Sequence, residues 1–233
     1  MQKHSTSITL ATIILLIGGF YFVTNNTPDD AGVMRDTNVR LGELEQVDHY
    51  LPPPNEGDHY KVKDVNNKIT IVNFFSIDCV HCRKAYLFEE KLLAKYGDRV
   101  NLVYRHNPLP EVQPLSGEKA LIAECVYNQG RDETMFRFIT DVYENFDIIN
   151  KDNDWVMSIA KKYVDDTAKL KSCVEDPKEK EKITIAKNKA IASAVIKTPT
   201  IVIFEGTKLI ERNDGMGEAN VAKSLEYWLT RPR

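Results

Sequence analysis

The chain lacks a charge excess of either sign: 31 lysines and arginines stand against 34 aspartates and glutamates, a net charge of −3 over 233 residues. That balance leaves no basic footprint for a nucleic-acid partner. The densest charged run, "EDPKEKEK" at 175–182, alternates in sign and reads as a solvated helix start. No internal repeat and no second domain is visible. With 42% apolar and 28% charged residues the chain is not intrinsically disordered. Its length fits one domain of about 100–200 residues plus a tail. Only four cysteines are present, so each must be accounted for.

The tail comes first. Residues 8–23, "ITLATIILLIGGFYFV", carry no charge and follow a short head bearing Lys3. The run is long for a signal core and slightly short of the roughly 20 residues that span a bilayer, which flanking Ser and Thr extend. A small-x-small cleavage site is missing, because Thr24, Asn25 and Asn26 follow. Lys3 on one side and Asp29–Asp30 on the other favour an inside N-terminus and export of the remainder. We therefore expect residues 1–24 to be a membrane anchor, with a cleaved signal peptide as the rival. Either way the domain faces an oxidising compartment, periplasmic or extracytoplasmic, where disulfides persist. Residues 25–60, with "TNNTPDDAG" (24–32) at the start and "LPPPNEGDHY" at the end, read as a polar, breaker-rich linker.

From about residue 61 to 233 strands and helices alternate. "ITIVNFF", 69–75, is a buried strand; 80–96 is a helix ended by Gly97; "VNLVYRH", 100–106, is a second strand. So tight a strand–helix–strand order predicts a parallel pair with a right-handed crossover. After "NPLPEVQP" a helical insertion of about 112–195 follows: 115–129 closed by Gly130, 132–145, 153–164, "DDTAKLKSC" and 177–194. Strands return at 200–206 and 207–211 with a tight turn at Gly206–Thr207, and an amphipathic helix spans 218–229. The fold class is α/β: a small mixed sheet whose two halves are separated by helices.

The chemistry is at the junction "SIDCVHC", 76–82. Residues i and i+3 on a first helical turn have Cα atoms about 5–6 Å apart, within disulfide range. Cys79 at the helix start is expected to be exposed, with free amides and the positive dipole end aimed at its sulfur. Such cysteines have pKa values of about 3.5–7.5 rather than about 8.5. Cys82, one turn in, is placed to resolve a mixed disulfide on Cys79. The His81 imidazole favours the Cys79 thiolate and Asp78 disfavours it, so the dipole and His81 prevail if Asp78 points to water. Metal is not expected here, since zinc usually wants two Cys/His pairs. Haem attachment is excluded because Arg83 stands where C-x-x-C-H needs histidine. An inert structural disulfide is disfavoured, because so short a loop adds little stability. Cys125 in "LIAECVY" and Cys173 in "LKSCV" lie amid apolar neighbours. Once Cys79 and Cys82 pair, these two form a structural disulfide or remain buried thiols.

With Cys79-Val80-His81-Cys82 after "VNFFS", and Thr198-Pro199-Thr200 before the last strands, the chain resembles the DsbA-like, thioredoxin-fold thiol:disulfide oxidoreductases. The resemblance covers about residues 57–231 and includes "GDHYKVKD" and "AECVYNQG". It implies a thioredoxin-like fold with the helical insertion between the sheet halves, no cofactor, and a cis Pro199 beside the cysteine pair. Thr198 would present its backbone to an extended substrate peptide by strand addition. It further implies a monomeric oxidase that passes the Cys79–Cys82 disulfide to reduced exported proteins and is reoxidised by a quinone-linked membrane partner. A tethered reductase or isomerase, or a binding protein without turnover, are the alternatives. Val80 and Lys197 depart from the proline and glycine that many relatives carry at those positions, which bears on redox potential and partner choice.

Overall fold

Among the described residues, five strands form one mixed sheet in the order β1-β3-β2-β4-β5: β1 (His59–Val62), β2 (Ile69–Phe75), β3 (Val100–His106), β4 (Thr200–Glu205) and β5 (Lys208–Asp214). The computed structural model describes residues 51–110, 114–146, 153–215 and 217–231; the expected anchor, 1–24, and most of the expected linker lie outside them. No helix among the described residues is long and apolar enough to cross a membrane.

β2 and β3 run parallel, from Ile69 opposite Val100 to Phe75 opposite His106, and are joined through α1 (Val80–Tyr96). The other pairings are antiparallel. β2 is buried along its whole length, as a central strand covered on both faces must be. Successive side chains alternate between faces. Ile69, Ile71 and Phe75 join Leu102, Tyr104, Ile201 and Ile203 in the larger core, and Val72 and Phe74 join Val103, Val202 and Phe204 in a smaller one. Gly206 takes φ 60° in the β4–β5 turn, a conformation glycine adopts without a Cβ penalty.

The sequence reading places the first strand at 69. The structure adds the edge strand β1, and buries Leu51 ahead of it. Arg105 pins this entry: Nε and Nη2 donate to the two Asp58 carboxylate oxygens at 2.8 Å each, and its remaining N–H groups reach the Pro52 and Pro53 carbonyls. β5 also runs on to Asp214, past the polar residues that end it on sequence grounds.

The insertion is helical: α2 (Ser116–Glu144), α3 (Asn153–Ala160), α4 (Thr167–Glu175) and α5 (Pro177–Ala192), with α6 (Glu218–Thr230) closing the described chain. α2 is broken at Arg131 (φ 63°, ψ −164°), beside the Gly130 that sequence reads as a helix end. A Cβ at Gly130 would collide with the Thr134 side chain, so a side chain there requires Thr134 to move. Asp166 and Asp176 N-cap α4 and α5 through their side chains, and Pro177 occupies the first turn of α5. Cys125 of α2 and Cys173 of α4 are joined by a disulfide across 48 residues. On the chain-entropy model that closure stabilises the fold by about 4 kcal/mol.

A buried acid lies under this framework. Glu89 of α1 is 1% exposed and accepts from Asn73 Nδ2 at 2.8 Å and from the Tyr104 hydroxyl. Burial outweighs both bonds and raises its pKa from 4.5 to about 7. The native state thus holds this proton more tightly than the unfolded chain, and stability falls as pH rises from about 4.5 through 7. Glu89→Gln keeps an acceptor for Asn73 and removes the charge. It is expected to stabilise the protein by about 3 kcal/mol at pH 8 and to have no effect at pH 4, read from urea unfolding at the two pH values. Equal effects at both would contradict the assignment.

Candidate functional site

β2 delivers the chain to its C-terminal edge, where Ser76, Ile77 and Asp78 turn it into α1. Cys79 is the N-cap of that helix, with extended φ −90° and ψ 120°, and its sulfur accepts from the Cys82 amide at 3.4 Å. Cys82, 1% exposed, receives the Ser76 amide on its own sulfur at 3.5 Å. Across the site, Thr198 and Pro199 are linked by a cis peptide bond. The Thr198 carbonyl lies 3.5 Å from the Cys79 sulfur. The structure therefore brings Cys79, Cys82, Thr198 and Pro199 together, although 119 residues separate Cys79 from Thr198. Cys125 and Cys173 are bonded to each other and are not part of this group.

The two sulfurs are electrostatically unequal. The Cys79 pKa falls from 9.0 to about 6, chiefly through a hydrogen bond from the Cys82 thiol. Burial opposes the shift, and Thr198 and the backbone amides of Cys82 and His81 add to it. Cys82 goes the other way: burial, then the neighbouring Cys79, push its thiol well up. At neutral pH one sulfur is a thiolate and the other a thiol that donates to it. In the reduced protein, iodoacetamide is expected to modify Cys79 with a pH midpoint of about 6 and to leave Cys82 untouched, as read by peptide mass. A midpoint near 9, or equal labelling of both residues, would contradict this.

Three details differ from expectation. Cys79 is only 7% exposed rather than open, because Thr198 packs over its sulfur. The imidazole of His81 is at the exposed surface, and among the causes of the Cys79 shift His81 enters through its backbone amide. Asp78 does not point to water: it is 2% exposed, accepts from the Ser76 hydroxyl at 2.7 Å, and lies 3.3 Å from the buried Lys119 ammonium. Its charge is balanced by a fixed cation rather than screened by solvent. Lys119, on the first turns of α2, escaped the sequence reading, since nothing local marks it as a partner for a residue 41 positions earlier. Tyr143 was missed too; its hydroxyl donates to the Ser76 carbonyl at 3.4 Å, and its carbonyl accepts from Arg83 Nε at 2.6 Å.

This geometry has counterparts. No curated relative matches the chain by sequence. The crystal structure of Pseudomonas aeruginosa DsbA2 superposes with a TM-score of 0.59 at 22% identity, covering 76% of this chain and 97% of that one. That of Wolbachia pipientis alpha-DsbA1 gives 0.64 at 23% identity, over 76% and 93%. That of oxidised BdbD from Bacillus subtilis gives 0.61 at 16% identity, over 77% and 97%. These likenesses carry the fold, including the helical insertion. The Thioredoxin family model matches residues 64–217, which take in both cysteines of the pair, the insertion and the cis-proline. The chain belongs to the thioredoxin family, and its fold, with the helical insertion, is like that of the DsbA structures.

Proposed function

We propose that this protein is an exported thiol:disulfide oxidase, held at the membrane by its N-terminal segment, that donates the Cys79–Cys82 disulfide to folding proteins. The observation that carries the reading is the opposed pair of sulfurs, with Cys79 acidified to about 6 beside the Thr198 carbonyl and Cys82 buried and raised. A substrate thiolate attacks Cys79; the Cys79–Cys82 bond breaks and Cys82 leaves, taking up a proton. The substrate's second thiolate then attacks its own sulfur in the mixed disulfide and expels Cys79 as the stabilised thiolate. The substrate has lost two electrons and the dithiol has gained them, so an oxidising partner must remove them before the next turn. Stabilising the reduced thiolate makes the bond a stronger oxidant.

The substrate side is an extended polypeptide laid beside Thr198–Pro199. Val80, next to Cys79 in the chain and 45% exposed, and Ile196, two residues before Thr198 and 67% exposed, offer apolar contacts. We assign the thiol exchange no cofactor and read the protein as a monomer.

The deciding measurement is the equilibrium reduction potential of Cys79–Cys82 in the full chain, in glutathione buffers with thiol trapping. A Cys79 pKa of about 6 lies between those of thioredoxin, about 7, and DsbA, about 3.5. The expected potential accordingly lies between their values of about −270 and about −120 mV. A value at or below that of thioredoxin would overturn the oxidase reading and make the protein a tethered reductant or isomerase.

A further inference from the structure

The cysteine pair leaves a second cluster of chemistry unused. His59 on β1, His106 at the end of β3 and Glu124 on α2 bring one ligand atom each to within 4.8 Å of one another. His59 Nε2 is 2.8 Å from Glu124 Oε1, and His106 Nε2 is 3.4 Å from the same oxygen. On the far side of the His59 ring, Nδ1 is 3.2 Å from Asp132 Oδ1.

An ordinary ion-pair reading accounts for His59, whose two nitrogens each face a carboxylate. It does not account for His106. That side chain is 2% exposed, packs against Phe75 at a ring separation of 4.8 Å, and neither ring nitrogen has a hydrogen-bond partner. Burying an unpartnered imidazole is costly, and such groups are rare in native structures. What lies in front of its Nε2 is a carboxylate that already serves a second histidine.

We propose that His59, His106 and Glu124 bind a divalent first-row transition-metal ion of the zinc type, with Asp132 orienting His59 from behind. Two imidazoles and one carboxylate are a familiar zinc donor set, and imidazole nitrogens select against calcium and magnesium. Tetrahedral ligands at about 2.0–2.1 Å from zinc lie about 3.3 Å from each other. The His106–Glu124 separation already matches that edge, and the His59–Glu124 pair has to open by roughly 0.5 Å. The ion takes the place of the proton that His59 shares with Glu124. The Asp132 carboxylate then holds the opposite N–H, the usual outer partner of a metal-bound histidine. Three protein ligands leave a fourth position. All three line a cavity of about 500 Å³ between the β1–β3 edge and α5, which gives water or a small anion access to that position. The site differs from the metal-free expectation drawn from sequence because its ligands are 47 and 18 residues apart and share no motif.

The test uses the full chain, stripped of metal, with Cys79–Cys82 oxidised so that free thiols do not compete. Zinc chloride titrated calorimetrically is expected to bind with one-to-one stoichiometry and to raise the unfolding temperature. Cobalt(II) should give the visible absorption of a low-coordinate site. His106→Phe suits its apolar surroundings and is expected to abolish binding, while Asp132→Asn weakens it about 10–100-fold. Should His106→Phe fail to fold, Glu124→Gln decides, since it keeps the hydrogen-bonding shape and removes the charged ligand. Absence of zinc binding by the parent chain overturns the proposal. Binding undiminished in His106→Phe or Glu124→Gln also overturns it, and would point to His4, His49 or His81.

Discussion

Cys79→Ser is expected to reduce disulfide donation to the uncatalysed rate of free thiol exchange, and Cys82→Ser to produce a trap instead. The asymmetry follows from where the two sulfurs sit. Cys79 caps α1 with its sulfur on the Cys82 amide and beside the Thr198 carbonyl, so it is the sulfur that attacks and the one that leaves. Serine at that position has no accessible anion near neutral pH and cannot form the mixed disulfide. Cys82 is 1% exposed and its thiol is pushed well up, so it reacts only with a partner already bonded to Cys79. In Cys82→Ser the Cys79 thiolate still attacks a substrate disulfide, one S–S bond replacing another, and no resolver follows. The mixed disulfide should accumulate and be visible on non-reducing gels. A scaffold without turnover would behave alike with either substitution, and equal phenotypes for both would sink the mechanism.

Strand and helix positions of the domain were legible because its local signals agree with its tertiary ones. β2 and β4 are short β-branched and aromatic runs, and each is buried on both faces. α1 begins at the cysteines and ends at Gly97, where the sequence says it should. What was not legible depends on residues far apart in the chain. β1 is a four-residue edge strand, half-buried throughout, with no clean alternation to announce it. β5 continues through Glu211–Asp214 because β4 pairs with it, not because its residues prefer a strand. The exposure of Cys79 was misjudged because its cover, Thr198, arrives from beyond the whole insertion. The setting of Asp78 was misjudged for the same reason, its cation being carried on α2. Local sequence located the nucleophile; the charges and surfaces that tune it come from elements on either side of the insertion.

That dependence makes Lys119 the most consequential residue outside the cysteine pair. Asp78 and Lys119 are 2% and 3% exposed at the side chain, and their charged atoms are 3.3 Å apart. A buried pair of this kind contributes little net stability against apolar replacements, but removing one partner strands the other charge away from water. Lys119→Met is therefore expected to cost about 3–5 kcal/mol in urea unfolding at pH 7. The loss should shrink in acid, where the stranded carboxyl can take a proton. The double variant Asp78→Asn, Lys119→Met removes both charges and keeps the hydrogen-bond contact with the Ser76 hydroxyl, so it should recover most of the loss. The effect also reaches the chemistry. Asp78 is the residue before the nucleophile, and without Lys119 its negative charge disfavours a second anion next door. In Lys119→Met the alkylation midpoint of Cys79 should accordingly rise above about 6, and in the double variant return toward it. A packing role for Lys119 alone predicts a stability loss with the midpoint unmoved. A Lys119→Met protein within about 1 kcal/mol of the parent would mean that water, not lysine, balances Asp78.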